Sequence, residues 1–335
     1  MEKIVALGEI LLRLTPPDYA KIDQTRSFMA NYGGAESNVA VSLAYLGHKC
    51  YFISKLPDTE VGDSAIKHLR SHNVNADYVV RGSSLMGIYF YESGFGGRPS
   101  KVIYNRRHSA FTRIKVSEFD FDEIFHDATW FHLSGITLAL NKSVREVTYK
   151  CLEYCKKYNV PVSFDFNFRS KLWTVEEAKS VYHKVIPYVD YLFASYWDAN
   201  TMLDIEPTIE TNDLIEKRNN VMHQLIEKYD ITAVFSTDRT VHSATENSIK
   251  AYVVTKNEEY HSQDYRFQIL DRIGAGDAFA SGVIHCLIKD KNDFAHAVDF
   301  GIVTNVLKHT ISGDASRLKE EDIYAYLAGC KGVIR

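Results

Sequence analysis

Short apolar, β-rich runs alternate along the chain with longer stretches in which apolar residues return at helical spacing. The runs Ile4–Leu7, Tyr51–Ser54, Thr129–Leu133, Val160–Asp165, Tyr191–Ala194 and Ile231–Ser236 predict strands. Between them, Ser37–Leu46, Val61–Ser71, Ser143–Tyr158, Val175–Val185, Trp197–Leu203 and Leu214–Tyr229 predict helices. Strands that alternate with helices build a mostly parallel sheet covered on both faces. The expected fold is therefore α/β, a doubly wound mostly parallel sheet within a single domain of residues 1–335. Beyond Asp277 the pattern turns helical, over Ala278–Ile288, Asp293–Lys308 and Glu320–Leu327.

Two stretches break the alternation. Ile10–Tyr32 lacks a helix signal, and so does Asp77–Arg113. Within the second, Gly87–Glu92 and Lys101–Asn105 read as strands joined by a turn rich in Gly94, Gly96, Gly97 and Pro99. These insertions, about 9–32 and 77–113, predict a small antiparallel sheet beside the core, suited to a lid that excludes water. Ile88, Phe90 and Val102 would give it an apolar outer face, so a homodimer through the lid is expected.

Composition narrows the function. Of 335 residues, 45% are hydrophobic and 24% charged, ample for a large core, and the net charge is −4. No Lys/Arg block suggests nucleic acid, and no apolar run reaches the ~18 residues of a membrane span. The N-terminus shows no basic segment followed by a cleavage site, so a cytoplasmic protein is expected. The five cysteines, at 50, 151, 155, 286 and 330, are odd in number and widely spaced, which argues against a disulfide framework. Cys151 and Cys155, four apart on a helix, read as small buried residues of one face.

The most informative stretch is Asp271-Arg272-Ile273-Gly274-Ala275-Gly276-Asp277-Ala278-Phe279. Gly274 and Gly276 permit a tight turn with positive φ and close approach of a ligand. The turn enters a helix whose N-terminal N–H groups attract anions. A carboxylate at that point suits a base for a hydroxyl that attacks a phosphoryl group; an ordinary acidic residue in a first helical turn is the plainer alternative. Gly33-Gly34-Ala35-Glu36-Ser37-Asn38 precedes another apolar helix. Its glycines would admit a ligand to the backbone and Asn38 would bond a polyol hydroxyl, or the segment is simply a helix cap. Asp165, Asn167 and Arg169 alternate after a buried strand, at the carboxyl edge where open α/β sheets bind ligands. Arg169 can clamp a carboxylate or phosphate, or sit in a surface salt bridge. Arg106 follows the second lid strand beside Tyr89 and Tyr104.

The two glycine motifs, in this order and over nearly the whole chain, resemble the signature regions of the ribokinase/PfkB carbohydrate kinases. That resemblance implies a ribokinase-like core with a β lid and ATP-dependent phosphorylation of a sugar hydroxyl. Asp277 would be the base, and Gly274, Ala275 and Gly276 the anion hole. Within the family, Met86–Phe90, Arg98–Tyr104, Phe131–Thr137 and Phe166–Trp173 are similar to 2-keto-3-deoxygluconate kinases. By that likeness Gly33, Gly34, Asn38, Tyr89, Tyr104, Arg106 and Arg169 would surround the sugar acid.

On the nucleotide side the resemblance implies Ser195, Ser236, Arg239, Gly274, Gly276 and Asn305, with Mg²⁺ held indirectly, through water, by Asp198. It also allows for a monovalent cation. Two motifs depart from the family. Its Asn-x-x-Glu stands here as Ser195-Tyr196-Trp197-Asp198, and its Lys-x-Gly-x-x-Gly loop as Ser236–Ser243, which suggests a different loop path. Many relatives acting on neutral sugars carry Asp five residues after the first strand's glycine; Arg13 stands there, five after Gly8. With Arg106 and Arg169, that favours an acidic substrate. The expected reaction is ATP-dependent conversion of 2-keto-3-deoxygluconate to its 6-phosphate. A fructokinase or another sugar kinase of the family is the alternative, followed by a non-catalytic sugar-binding regulator.

Overall fold

The computed structural model describes residues 2–83, 85–330 and 332. An eleven-stranded sheet forms its centre. Its main path runs Glu259–His261, Glu246–Thr255, Ala233–Val241, Tyr191–Phe193, Val162–Asp165, Ala128–Ser134, Lys3–Leu7, Lys49–Leu56, Val74–Asn75. Pairing is parallel from Ala233–Val241 to the last strand and antiparallel at the other edge. Helices cover both faces. One apolar layer includes Val39, Leu43, Phe279, Val283 and Val303, the other Val147, Leu152, Val181 and Leu225.

Local sequence explains the helices. In Lys142–Tyr158, buried Val144, Val147, Thr148, Cys151, Leu152 and Cys155 recur every three or four positions and make one stripe. Asn141 caps its start by accepting from the Val144 N–H, and Asn159 ends it in the left-handed region. The paired cysteines are thus core residues, and both are free. Thr174 and Glu177 cap Val175–Val185 reciprocally.

The small sheet is present, in the order Met29–Gly33, Leu11–Thr15, Ile88–Glu92, Lys101–Asn105. It is mixed rather than antiparallel, because Leu11–Thr15 and Ile88–Glu92 run parallel. Those strands come from separate insertions, so no hairpin constrains their direction. Its pleat also separates Val102 from Ile88 and Phe90. Val102 lies opposite Tyr91 and packs with Leu11, Tyr89 and Tyr91 on the inner face. The outer row is Leu12, Leu14, Ile88, Phe90 and Ile103, all partly or fully exposed. Val79–Arg81 pairs with Lys49–Leu56 and belongs to the main sheet.

A further difference lies at 233–268. The strand expected to stop at Ser236 continues to Val241 and pairs with Glu246–Thr255 through nine registered positions. The outer half, Asp238–Val241, is exposed and carries Asp238, Arg239 and Thr240, so hydrophobic patterning did not announce it.

Candidate active site

The parallel strands end on one edge of the sheet, and the chain there supplies Glu9, Asp165 and Ser195 to a cleft of about 620 Å³. The small sheet contributes Tyr89 and Tyr104, and the helix Ala275–Lys289 contributes its first turn. This is the carboxyl-edge crevice where open α/β sheets hold ligands. It brings together Gly34, Asn38, Tyr89, Tyr104, Arg106, Arg169, Ser195, Arg239, Gly274, Ala275, Gly276, Asp277 and Asn305. Ser236 and Asp198 line an adjoining hollow of about 230 Å³, along with Asp165, Asn167, Arg169 and Gly276.

Asp277 lies in the first helical turn. The N–H groups of Ala275, Gly276 and Asp277 have no intrahelical acceptor and remain free for an anion. Asn38 Nδ2 donates to Asp277 Oδ2 at 2.7 Å, while Asn38 Oδ1 accepts from the Gly34 N–H at 3.2 Å. Asn38 therefore orients the carboxylate. Burial pushes the Asp277 pKa up to about 7, against the lowering effect of the Asn38 bond; Glu36 and Asp314 add repulsion.

Of the two motif glycines, Gly274 alone takes positive φ, 79°. A Cβ there would strike the Asp314 carbonyl oxygen. Gly276 is helical and faces open space, so it offers ligand access without a special backbone. Gly34 lines the cleft, and both Gly33 and Gly34 also press against the protein itself. A Cβ at Gly33 would strike the Asp314 carboxylate, and one at Gly34 the Glu9 carbonyl oxygen. Their smallness serves close packing of the lid junction against the protein itself.

Asp165, Asn167 and Arg169 would share one side only in an extended chain; the strand ends at Asp165 and Asn167 is left-handed, φ 41°. All three still line the cleft. Asn167 Nδ2 donates to Asp165 Oδ2 at 3.1 Å. Burial, then repulsion from Asp277, lifts the Asp165 pKa to about 7.

Arg13, which stands in place of an Asp, has a structural role the sequence did not show. It is 2% exposed and donates to Asp271 and Asp314, both at 2.7 Å. Burial lowers its pKa, but Asp314 and Asp271 outweigh that and raise it overall. One cation against two carboxylates leaves no positive charge for a substrate. Arg106 is also paired, to Glu9 at 2.5 Å, with its guanidinium 5.8 Å from the Tyr104 ring centre. Tyr89 donates to Asp314. Arg169 is exposed and donates to the Phe168 carbonyl oxygen, and it forms no surface salt bridge among the described residues.

On the nucleotide side, Asn305 Nδ2 donates to the Ala275 carbonyl oxygen at 2.7 Å and holds the start of the anion-binding helix. Ser195 and Asp198 cap Tyr196–Leu203, with Ser195 Oγ donating to Asp198 Oδ2 at 2.6 Å. Arg239 sits on the long ribbon; burial and the nearby Arg272 lower its pKa. Among the described residues no three His, Cys, Asp or Glu side chains form a metal cage. Glu9, Glu36 and Asp314 escaped the sequence reading. Glu36 is buried and accepts from the Ser134 N–H, Ser134 Oγ and Thr137 Oγ1 at 2.7–3.0 Å. It stood inside the Gly33–Asn38 motif without any signal of its partners. Asp314, 301 positions from Arg13, gave none at all.

An α/β core, a lid sheet and a carboxylate at a glycine-rich helix start define a phosphoryl-transferring kinase of small hydroxyl compounds. The chain matches the pfkB family carbohydrate kinases over residues 1–317 and belongs to that family. It is a phosphotransferase with an alcohol acceptor, and kinases of this family use ATP. The chain is 40% identical to the crystal structure of 2-dehydro-3-deoxygluconokinase from Thermotoga maritima, with TM-score 0.94, covering 98% of this chain and 100% of that one. It is 31% identical to the 2-dehydro-3-deoxygalactonokinase of Haloferax volcanii, over 98% of this chain and 97% of that one. To the 2-dehydro-3-deoxygluconokinase of Thermoproteus tenax it is 27% identical, over 95% and 91%. No helix among the described residues is long and apolar enough to cross a membrane.

Proposed function

We propose that this protein transfers the γ-phosphoryl group of ATP to the terminal hydroxyl of 2-keto-3-deoxygluconate. The observation that carries the reading is the placement of Asp277, held by Asn38 at a free helix N-terminus, in one cleft with Arg106 and Arg169. Arg169 and the Nη1 of Arg106, which Glu9 does not use, hold the sugar carboxylate, with Tyr89 and Tyr104 over the chain of hydroxyls. Asp277 Oδ1, not used by Asn38, takes the proton as the hydroxyl oxygen bonds to phosphorus and the ADP oxygen leaves. The N–H groups of Ala275 to Asp277 stabilise the charge on the phosphoryl oxygens. Arg239 and Arg272 supply positive charge at the phosphate end.

The oxygen donors there, Asp165, Asn167 and Asp198, fit a magnesium ion held largely through water and phosphates, without a protein cage. Bound Mg²⁺ would neutralise the β- and γ-phosphate charge. We further place a second copy of the chain against the outer lid row of Leu12, Leu14, Ile88 and Phe90.

The test is a panel of acidic and neutral sugars read by ADP release, in potassium and in sodium buffers. It includes the galacto epimer named for the 31% relative. 2-Keto-3-deoxygluconate should give the largest kcat/KM. Arg106→Ala and Arg169→Ala should each raise its KM by tenfold or more, the ~1.4 kcal/mol or more of a charge-assisted bond. Preference for fructose, or an unchanged KM in both variants, would sink the reading.

A further inference from the structure

The cleft at Asp277 opens into a second one of about 790 Å³, between the lid strand Lys101–Asn105 and the loop 168–172. The two share Tyr104, Arg106, Ile136 and Arg169. Every charged residue lining the second cleft is cationic: Lys101, Arg106, Arg107, Arg169 and Lys171. Glu9 neutralises Arg106. The other four are exposed and have no ion-pair partner among the described residues, although the neighbouring lid residues Glu92 and Arg98 do pair.

Lys101 stands opposite Glu92 in the lid register and Arg169 lies in the field of Asp165 and Asp277, yet four cations line one concavity of a chain whose net charge is −4. Holding like charges together costs free energy, and no structural bond explains their grouping. A concave, single-sign surface does have a functional consequence. It focuses the field, concentrates counter-ions and accelerates their capture. The phosphate end of the first cleft, with Arg239, Arg272 and Gly276, is not part of the second. The second cleft therefore borders the acceptor end of the first rather than its phosphate end.

We infer that this cleft is a cationic vestibule, in which Lys101, Arg107 and Lys171 capture anionic sugars and pass them to Arg169 and Arg106. These three residues select acid over neutral sugars through the rate of encounter, before any contact with Asp277. The inference rests on the sugar-acid reading above.

The experiment compares the full-length chain with its Lys101→Ser/Arg107→Ser/Lys171→Ser variant at saturating MgATP, in low and high salt, on 2-keto-3-deoxygluconate and on fructose. At low salt the variant should lose about tenfold in kcat/KM for the acid, within the range of electrostatic steering. The loss should close at high salt, as screening predicts. Its kcat, and its kcat/KM for fructose, should equal those of the unaltered chain. Arg107→Glu/Lys171→Glu should deepen the loss. A triple variant with the original kcat/KM and salt slope on the acid overturns the vestibule alone. Equal losses on both sugars also overturn it and assign the residues a structural role. If the unaltered chain turns over no sugar acid, the substrate reading falls, and the vestibule with it.

Discussion

Two half-buried carboxyls at the reacting centre, Asp277 and Asp165, have pKa values raised to about 7 by desolvation first and by neighbouring negative charge second. A base must be unprotonated to accept the hydroxyl proton. The kcat/KM profile, which reports the free enzyme, should therefore rise with pH through about 7. Coulomb repulsion is mutual, so Asp165→Asn should move that acid limb to lower pH. Asp277→Asn should keep sugar binding and cut kcat by about 10³-fold or more. Stability should respond in the opposite sense. A carboxyl whose pKa is raised by folding contributes stability below its unfolded pKa, and that contribution is lost as pH climbs through the folded value. Above about pH 7 both aspartates weaken the unliganded fold. Each Asn variant should then melt higher than the parent at pH 8 and alike at pH 4, by calorimetry; equal Tm values at pH 8 would contradict the assignment. Asp277 was legible because glycines and a helix start flank it. Asp165 was visible only as one member of an alternating triple, since its proximity to Asp277 arises from sheet order.

The helix Ala275–Lys289 shows how one motif divides its work between neighbouring positions. Gly274 is required by backbone conformation, φ 79°, and by contact with the Asp314 carbonyl oxygen; Gly276 is required by neither. Gly274→Ala should destabilise the protein by more than the ~1–2 kcal/mol of a left-handed non-glycine residue, because backbone must also shift. Gly276→Ala should leave Tm unchanged or higher, since alanine favours a helix by up to ~1 kcal/mol. It should nonetheless lower kcat by tenfold or more, its methyl group occupying the space open to the phosphoryl group. Denaturation and turnover on the two variants check the pair; loss of stability in Gly276→Ala would refute the division. The sequence announces both glycines equally, as it does Gly33 and Gly34, because composition does not say whether a missing side chain makes room for ligand or for protein. The antiparallel ribbon Ala233–Thr255 was half hidden for another reason. Its outer half faces solvent and lacks the apolar run that marked the central strands.

Across the whole molecule, the small sheet is fastened to the core by buried charge. Arg13, on a lid strand, reaches Asp271 before the anion-binding helix and Asp314 beyond the last core helix, while Tyr89 of the next strand donates to Asp314. The α/β alternation and the lid insertions are local patterns, so both could be read from the chain. A contact spanning 301 positions has no local pattern, which is why Arg13 was legible only as the absence of an Asp and not as a partner of Asp271 and Asp314. The two roles differ measurably. Arg13→Met keeps much of the side-chain volume and leaves two buried carboxylates without their hydrogen-bonded cation, with only the nearby Lys308 to offset them, a defect costing about 3–5 kcal/mol. Burial already raises the Asp314 pKa while Arg13 lowers it; without Arg13 it rises further. The carboxyl then gains its proton in the folded state, so the destabilisation should be smaller at pH 5 than at pH 8. Adding Asp271→Asn and Asp314→Asn should restore much of the lost Tm at pH 8, because neutral amides tolerate the missing cation. A residue serving the substrate carboxylate would behave otherwise: Arg13→Met would raise KM for a sugar acid, leave Tm unmoved at both pH values, and gain nothing from the added amides.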